Sequence, residues 1–391
     1  MVMMAAAVSE VEPDLSGISV LQFMTTTHFG FGASARLPQL LEQIGSTRPL
    51  IVSDYGVERA GVLEQALNAV PCSDKLPSWL DTPPNPTEEA ARLGAETYKH
   101  AGCDGVVAIG GGAALDLAKG IAIMATHDGT LWDFCNRHAK PRAIINPAPL
   151  IAMPTTSGSG SEVGRSAVII FNNGVKAGVG CAGIVKAAIC DPDLTLRLPP
   201  SVTAATGIDA LSHCVETYSS PTVNPPADAI AIDGLRRALH HIERAVTHGS
   251  SDKHARWHMM MASLQGAVCF QKGMGAVHSL SHPIGALGYH HGTLNGIFLH
   301  AVLRYNRDAL GVKYDIMRSC LPTELAGQDF ADAIEALLTR IDLPTRLATL
   351  GIKQSDLTRI PEQALQDNAH KTNPRSLTAA DYSHLIEQVF E

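Results

Sequence analysis

Residues 104–125 read DGVVAIGGGAALDLAKGIAIMA. The run after Asp104 is apolar and rich in β-branched residues, it closes on three glycines at 110–112, and it continues in the small and apolar residues of a helix. A strand that ends on glycine and reopens as a helix is the joint from which parallel β-α-β sheets are built. The same joint leaves backbone N–H groups and the positive end of a helix open to an anion, with no side chain in the way. The loop lacks the G-x-G-x-x-G spacing, so on its own it marks a tight turn as readily as a phosphate cradle.

The rhythm continues on both sides of this joint. Upstream, residues 49–54 (PLIVSD) read as a buried strand that leads into a helix reaching about residue 69. Downstream, residues 150–154 (LIAMP) form a third strand that runs into the Thr/Ser/Gly-rich loop 155–162. Residues 166–171 and 187–190 add short strands, with a turn at 172–174 (NNG) between them. After Pro199 and Pro200 the β-branched alternation stops and helical periodicity takes over, as in 227–246, 329–338 and 378–390. The expected architecture is an α/β, Rossmann-like dinucleotide-binding domain over 16–198, an all-α metal-binding domain over 199–391, and a flexible tail over 1–15.

Composition agrees with two packed domains. The chain has 391 residues, 45% of them hydrophobic and 17% charged, too apolar for disorder and too long for one ordinary core. Its net charge is -8 and no block of Lys or Arg stands out, which argues against nucleic-acid and anionic-membrane partners. No apolar stretch is long enough to span a bilayer, and the apolar residues 1–7 are too short and lack the basic start of a secretory signal. The 8 cysteines are scattered, without C-x-x-C spacing, as expected of buried free thiols in the reducing cytoplasm.

Two sets of residues carry chemistry. Asp54 closes an early strand, where a carboxylate can accept from both ribose hydroxyls and repel a 2'-phosphate, favouring NAD over NADP; it would equally serve as a helix cap. Thr155, Thr156 and Ser159 put hydroxyls on the loop after the third strand. Asp209 and His213 are four residues apart in GIDALSHCVE, so on a helix they project from one face. His278, His282, His290 and His291 crowd into GAVHSLSHPIGALGYHHG. Three imidazoles and a carboxylate with one open position suit Fe2+ or Zn2+ and leave room for a substrate oxygen.

In chain order, GGG-x-x-x-D, PTTSGSGSEV, DP-x-L-T, GIDALSHCVE, VHSLSHPIG and HHG resemble the iron-containing, group III alcohol dehydrogenases, over nearly the whole length from about Phe23. The resemblance implies a nicotinamide-binding domain and a helical metal domain with the active site between them, an architecture shared with dehydroquinate synthase. It implies metal ligands at Asp209, His213, His278 and His291, the last chosen over His290 because Gly292 follows it. It places His282 near the nicotinamide as a catalytic, non-ligand residue. It implies dinucleotide contacts at Asp54, Gly111, Gly112, Asp116, Thr155, Thr156, Ser159 and Lys176, with Asn85 on a loop that closes over the cofactor.

Three features depart from the family pattern. Ala113 stands where a serine is usual, the segment between His282 and His291 is short, and Lys272 falls on the expected wall of the substrate pocket. The expected activity is hydride transfer between NAD(H) and a small primary alcohol or aldehyde, in a homodimer or higher homo-oligomer. Lys272 suggests an ω-hydroxy acid such as 4-hydroxybutyrate, whose carboxylate an ammonium would anchor. A maleylacetate reductase-like enzyme is the nearest alternative. A dehydroquinate synthase-like cyclase would require a Lys/Arg/Asn cluster that is not found.

Overall fold

The computed structural model describes residues 25–391, so the expected tail over 1–15 lies outside the described residues. Its first half is built on eight strands: β1 Thr27–Phe29, β2 Pro49–Val52, β3 Ser78–Trp79, β4 Gly105–Gly110, β5 Leu150–Pro154, β6 Ser166–Ile170, β7 Lys176–Gly180 and β8 Val185–Cys190. Six form one parallel sheet in the order β1-β8-β5-β4-β2-β3. Every residue of β4 and β5 is buried, as a parallel strand covered on both faces must be. This α/β sheet bears out the fold class read from the sequence.

Two details differ from the sequence reading. The single helix expected after β2 is two, Tyr55–Arg59 and Val62–Leu67, because Gly61 between them adopts φ 68°. The turn at 172–174 joins β6 not to β8 but to β7, in an antiparallel hairpin outside the main sheet.

Strand order decides where a ligand can bind. The chain runs outward from β2 to β3, returns across β2 to β4, and then proceeds outward the other way to β5 and β8. In such sheets the loops after the two strands flanking the reversal separate, leaving a crevice at their carboxyl ends. Those ends carry Asp54 after β2 and Gly110–Gly112 after β4. The loop after β5 is tied alongside, since Thr155 N–H donates to the Gly110 carbonyl at 2.9 Å.

The start of β4 is fastened to the approach of β2 by Asp104, which accepts from Ser46 Oγ at 2.6 Å, Thr47 N at 2.8 Å and Arg48 N at 2.9 Å. Burial works against its charge, but these donors bring the carboxyl down to about 2. A carboxyl depressed by folding adds stability above its ordinary range and loses that stability as pH falls toward the folded value. Asp104→Asn is therefore expected to cost about 1 kcal/mol at pH 7, allowing for solvent screening. It should also flatten the fall in stability between about pH 4 and pH 2, read from urea midpoints across that range.

From Pro200 onward every regular element is helical. The Pro200–Ser219 helix is buried along nearly its whole length. Helices Pro225–His248, Lys253–Val268 and His291–Leu310 pack around it, and a helix enclosed on all sides has no polar face to keep. Its few buried polar side chains, Asp209, His213 and Glu216 among them, therefore need partners within the protein. Among the described residues no helix is long and apolar enough to cross a membrane. The cysteines are all unpaired, and six are buried; Cys72 is exposed and Cys103 partly so, against the expectation of burial throughout.

Candidate active site

One cleft between the carboxyl ends of the sheet strands and the helices is lined by Asn85, Gly112, Asp116, Thr156, Ser159 and Lys176 from the first half. From the second half it is lined by Asp209, His213, His278, His282 and His291. Residues dispersed over more than two hundred positions thus face one space.

The residues expected as ligands are brought together by three helices. Asp209 and His213 leave the same face of Pro200–Ser219, with His213 Nε2 3.5 Å from Asp209 Oδ1. His278 stands in the first turn of Ala276–Gly285, and His291 opens His291–Leu310. Gly292 allows that opening: a Cβ there would fall 2.2 Å from the Ala205 carbonyl, so any side chain would push His291 away from Asp209. Asp209, His278 and His291 offer ligand atoms all within 4.8 Å of one another. His213 stands beside this group, its ring stacked on that of His278 at 4.8 Å. His290 is exposed and turned to another task, accepting from Thr293 N as the helix cap.

These groups fit a cation. Asn295 Nδ2 donates to Asp209 Oδ1 at 2.7 Å and lies 3.2 Å from both His278 Nε2 and His291 Nε2. An amide nitrogen has two hydrogens, so it cannot serve three acceptors, and the acceptors converge on a point where positive charge is wanted. His213 Nδ1, His291 Nδ1 and Asn295 Oδ1 are buried without hydrogen-bond partners. Burial first, and neighbouring basic groups second, hold His278 and His291 well below the usual imidazole range, so both rings are neutral and have lone pairs to give.

Glu216 completes the arrangement. Its Oε2 lies 2.5 Å from His278 Nδ1, and its Oε1 accepts from Val277 N at 2.8 Å. Burial pushes its carboxyl up to about 7 against the backbone donors of Val277 and Gly275. As an acceptor it fixes the His278 hydrogen on Nδ1 and leaves the Nε2 lone pair facing Asp209. A second carboxylate, Asp367 from the loop before the last helix, accepts from His282 Nδ1 at 2.9 Å. Burial opposes the Asp367 charge, but His282 and the Ala369 N–H together bring its carboxyl below the ordinary range. Sequence reasoning singled out neither residue: Glu216 sits inside the GIDALSHCVE motif, but its partner is 62 positions away.

The residues expected at the dinucleotide divide. The helix Gly112–Met124 begins at the cleft, and a Cβ on Gly112 would fall 2.6 Å from Ser159 Oγ, so the two loops meet with no room for a larger residue. Lys176, on β7, donates to Asn85 Oδ1 at 2.9 Å, and burial brings its amine down to about 8. Asp116 is committed to the protein, accepting from Ser161 Oγ and from Val168 N at 2.9 Å. Asp54 Oδ1 caps the helix Tyr55–Arg59, accepting from Gly56 N and Val57 N, while Oδ2 remains beside Gly110. Gly111 caps the Gly112–Met124 helix and Thr155 is buried at the end of β5, both behind the residues that line the cleft.

Lys272 departs from expectation. It is 1% exposed, its ammonium is ion-paired with Asp228, and it does not line the cleft. Gly273, at φ 82°, turns the chain between Lys272 and the helix that carries His278. A desolvated ammonium must be paired, and Asp228 has taken it, so the expected carboxylate anchor and catalytic part are corrected to a buried structural pair.

Comparison with known proteins agrees with this geometry. Residues 24–192 match the family model described as iron-containing alcohol dehydrogenase, and residues 203–390 match the C-terminal model of the Fe-containing alcohol dehydrogenase family. The chain is 47% identical to a 4-hydroxybutyrate dehydrogenase of Cupriavidus necator, over 95% of this chain and 100% of that protein. Among solved structures it resembles a 1,3-propanediol oxidoreductase, with TM-score 0.88, 29% identity and coverage of 95% and 100% of the two chains. It also resembles a sulfoacetaldehyde reductase of Bifidobacterium kashiwanohense in complex with NAD+, with TM-score 0.84, 26% identity and coverage of 95% and 99%.

Proposed function

Because the chain belongs to the iron-containing alcohol dehydrogenase family, and so is a metal- and NAD-dependent alcohol oxidoreductase, we propose that its substrate is a short ω-hydroxy acid of the 4-hydroxybutyrate type and the matching semialdehyde. The observation that carries the chemistry is the convergence of Asp209, His278 and His291 on one point of the cleft. Support for the substrate is the 47% identity to a 4-hydroxybutyrate dehydrogenase.

Asp209, His213, His278 and His291 hold the divalent ion, iron or zinc. Bound there, the ion supplies Lewis acidity toward the substrate oxygen and NAD supplies the hydride acceptor. The residues of the chain do the rest. Glu216 keeps the His278 proton on Nδ1. His282, its Nδ1–H held on Asp367, has Nε2 left to accept the hydroxyl proton of the alcohol or return it to the product of the reverse reaction. The Gly112 helix end, Thr156, Ser159 and Lys176, with Asn85, receive the dinucleotide phosphates, and Asp54 Oδ2 meets the ribose hydroxyls. Gly111 and Thr155 shape these loops from behind, while Asp116, on the cleft wall, holds Ser161 and Val168 in place. The two walls position donor and acceptor carbons and exclude water.

With Lys272 withdrawn, the carboxylate end of the substrate falls to Arg137 and Arg165, which both line the cleft. A guanidinium takes a carboxylate through two parallel hydrogen bonds. The test is kcat/KM with NAD+ for 4-hydroxybutyrate and for butan-1-ol. The acid is expected to be preferred, and Arg137→Leu or Arg165→Leu should lower kcat/KM for the acid by about 10- to 100-fold while sparing butanol. Equal losses on both substrates in both variants would remove the anchor, and a wild-type preference for butanol would remove the substrate.

The remaining assignments follow the same reading: residues 16–198 as the dinucleotide domain, 199–391 as the metal domain, a cytoplasmic location in keeping with unpaired cysteines, and a homodimer or higher homo-oligomer.

A further inference from the structure

Three histidines that take no part in the cleft meet where the helices Pro225–His248 and Lys253–Val268 run side by side. His254 and His258 stand one turn apart on the second helix, so their imidazoles leave the same face. The short connection at residues 249–252 returns the chain and brings His241 of the first helix against them. Ligand nitrogens of the three lie within 4.8 Å of one another.

The spacing is that of a coordination site. His254 Nε2 and His258 Nε2 are 3.2 Å apart. Two imidazoles on one tetrahedral cation, with bonds of roughly 2.0–2.1 Å, hold their nitrogens about 3.3 Å apart. The His241 ring is stacked on that of His258 at 4.0 Å, so it must turn out of the stack to aim a lone pair at the same ion, and its Nδ1, buried without a hydrogen-bond partner, is free to do so. A buried ring nitrogen with no partner is costly unless something binds nearby.

Local charge permits a cation. Arg237 Nε is paired with Asp233 Oδ2 at 2.7 Å, and Arg244 Nη2 with Asp252 Oδ2 at 2.6 Å, so the guanidinium charges are balanced. Arg237 Nη1 also donates to His258 Nδ1 at 2.9 Å, which puts the His258 hydrogen on Nε2 while no ion is bound. Coordination through Nε2 moves that hydrogen to Nδ1 and turns the guanidinium off the ring, while Asp233 keeps hold of it.

We propose that His241, His254 and His258 form a second cation site, distinct from the catalytic one, that takes Zn2+ and clamps these two helices together. The donor set defines the class of ion. Imidazoles without a carboxylate suit zinc and its late first-row neighbours and reject Mg2+ and Ca2+, which require oxygen. Exposure of His254 leaves the remaining position to water.

The test is calorimetric titration of the metal-loaded enzyme with Zn2+, and in parallel with Mg2+, for wild type, His254→Gln and the double variant His254→Ala/His258→Ala. Wild type is expected to take up one more Zn2+ per chain than the double variant, and its Tm should rise with Zn2+ where that of the variant does not. His254→Gln should bind this extra ion at least about tenfold more weakly. All three proteins should share the same alcohol oxidation rate before zinc is added, which shows that the variants fold and keeps this result separate from the identity of the substrate. Equal zinc uptake by wild type and double variant, or uptake of Mg2+ at the same site, overturns the proposal.

Discussion

His278→Ala is expected to give a folded protein that holds little catalytic metal and has lost about a thousandfold or more in kcat/KM for alcohol oxidation. The size of the loss follows from where the side chain sits. His278 Nε2 is one of three acceptors gathered on the Asn295 amide, and its other nitrogen is fixed by Glu216. Truncation removes a proposed ligand and also leaves Glu216 a buried carboxylate without its imidazole partner. Metal analysis after dialysis, read beside the kinetics, checks the expectation, and His278→Asn separates loss of the ligand from the cavity that alanine leaves. Near wild-type turnover in metal-free His278→Ala would dismantle the assignment of the ligand set.

Glu216→Gln is expected to weaken catalytic metal binding by about 10- to 100-fold while excess metal restores most of kcat. The amide can still accept from Val277 N, so the backbone of the His278 helix keeps its anchor. Toward His278 Nδ1, however, an NH2 would replace an acceptor, which drives the imidazole hydrogen to Nε2 and blocks the lone pair meant for the cation. A purely structural role would lower Tm without making activity depend on metal concentration. Metal titration of activity in wild type and variant tells the two apart.

The parts of the molecule that the sequence makes legible are those whose signal is local. The cores of β2, β4 and β5 are uninterrupted apolar runs, and Asp209 and His213 advertise a shared helix face by their spacing alone. β1 and β3, of three and two residues, carry too few side chains to show a period. In β7, KAGVG has Val179 as its one branched residue among two glycines, and only the preceding turn hints at a hairpin. Asp367 gives no sign of importance as a lone carboxylate in a C-terminal loop, because its meaning comes from His282, 85 positions earlier. Lys272 is the instructive failure. Six residues of separation from His278 place it nearby along the chain, but its ammonium is buried against Asp228 and does not line the cleft.

One amine couples the two ends of the cleft. Lys176 is drawn toward its charged form by both Asp116 and Asp209, against a burial that leaves it near the midpoint of its titration in mildly alkaline solution. On the proposed reading, metal at Asp209 cancels one of these attractions, so metal there and phosphate at the Gly112 helix end would act on this amine in opposite senses, the first disfavouring its proton and the second favouring it.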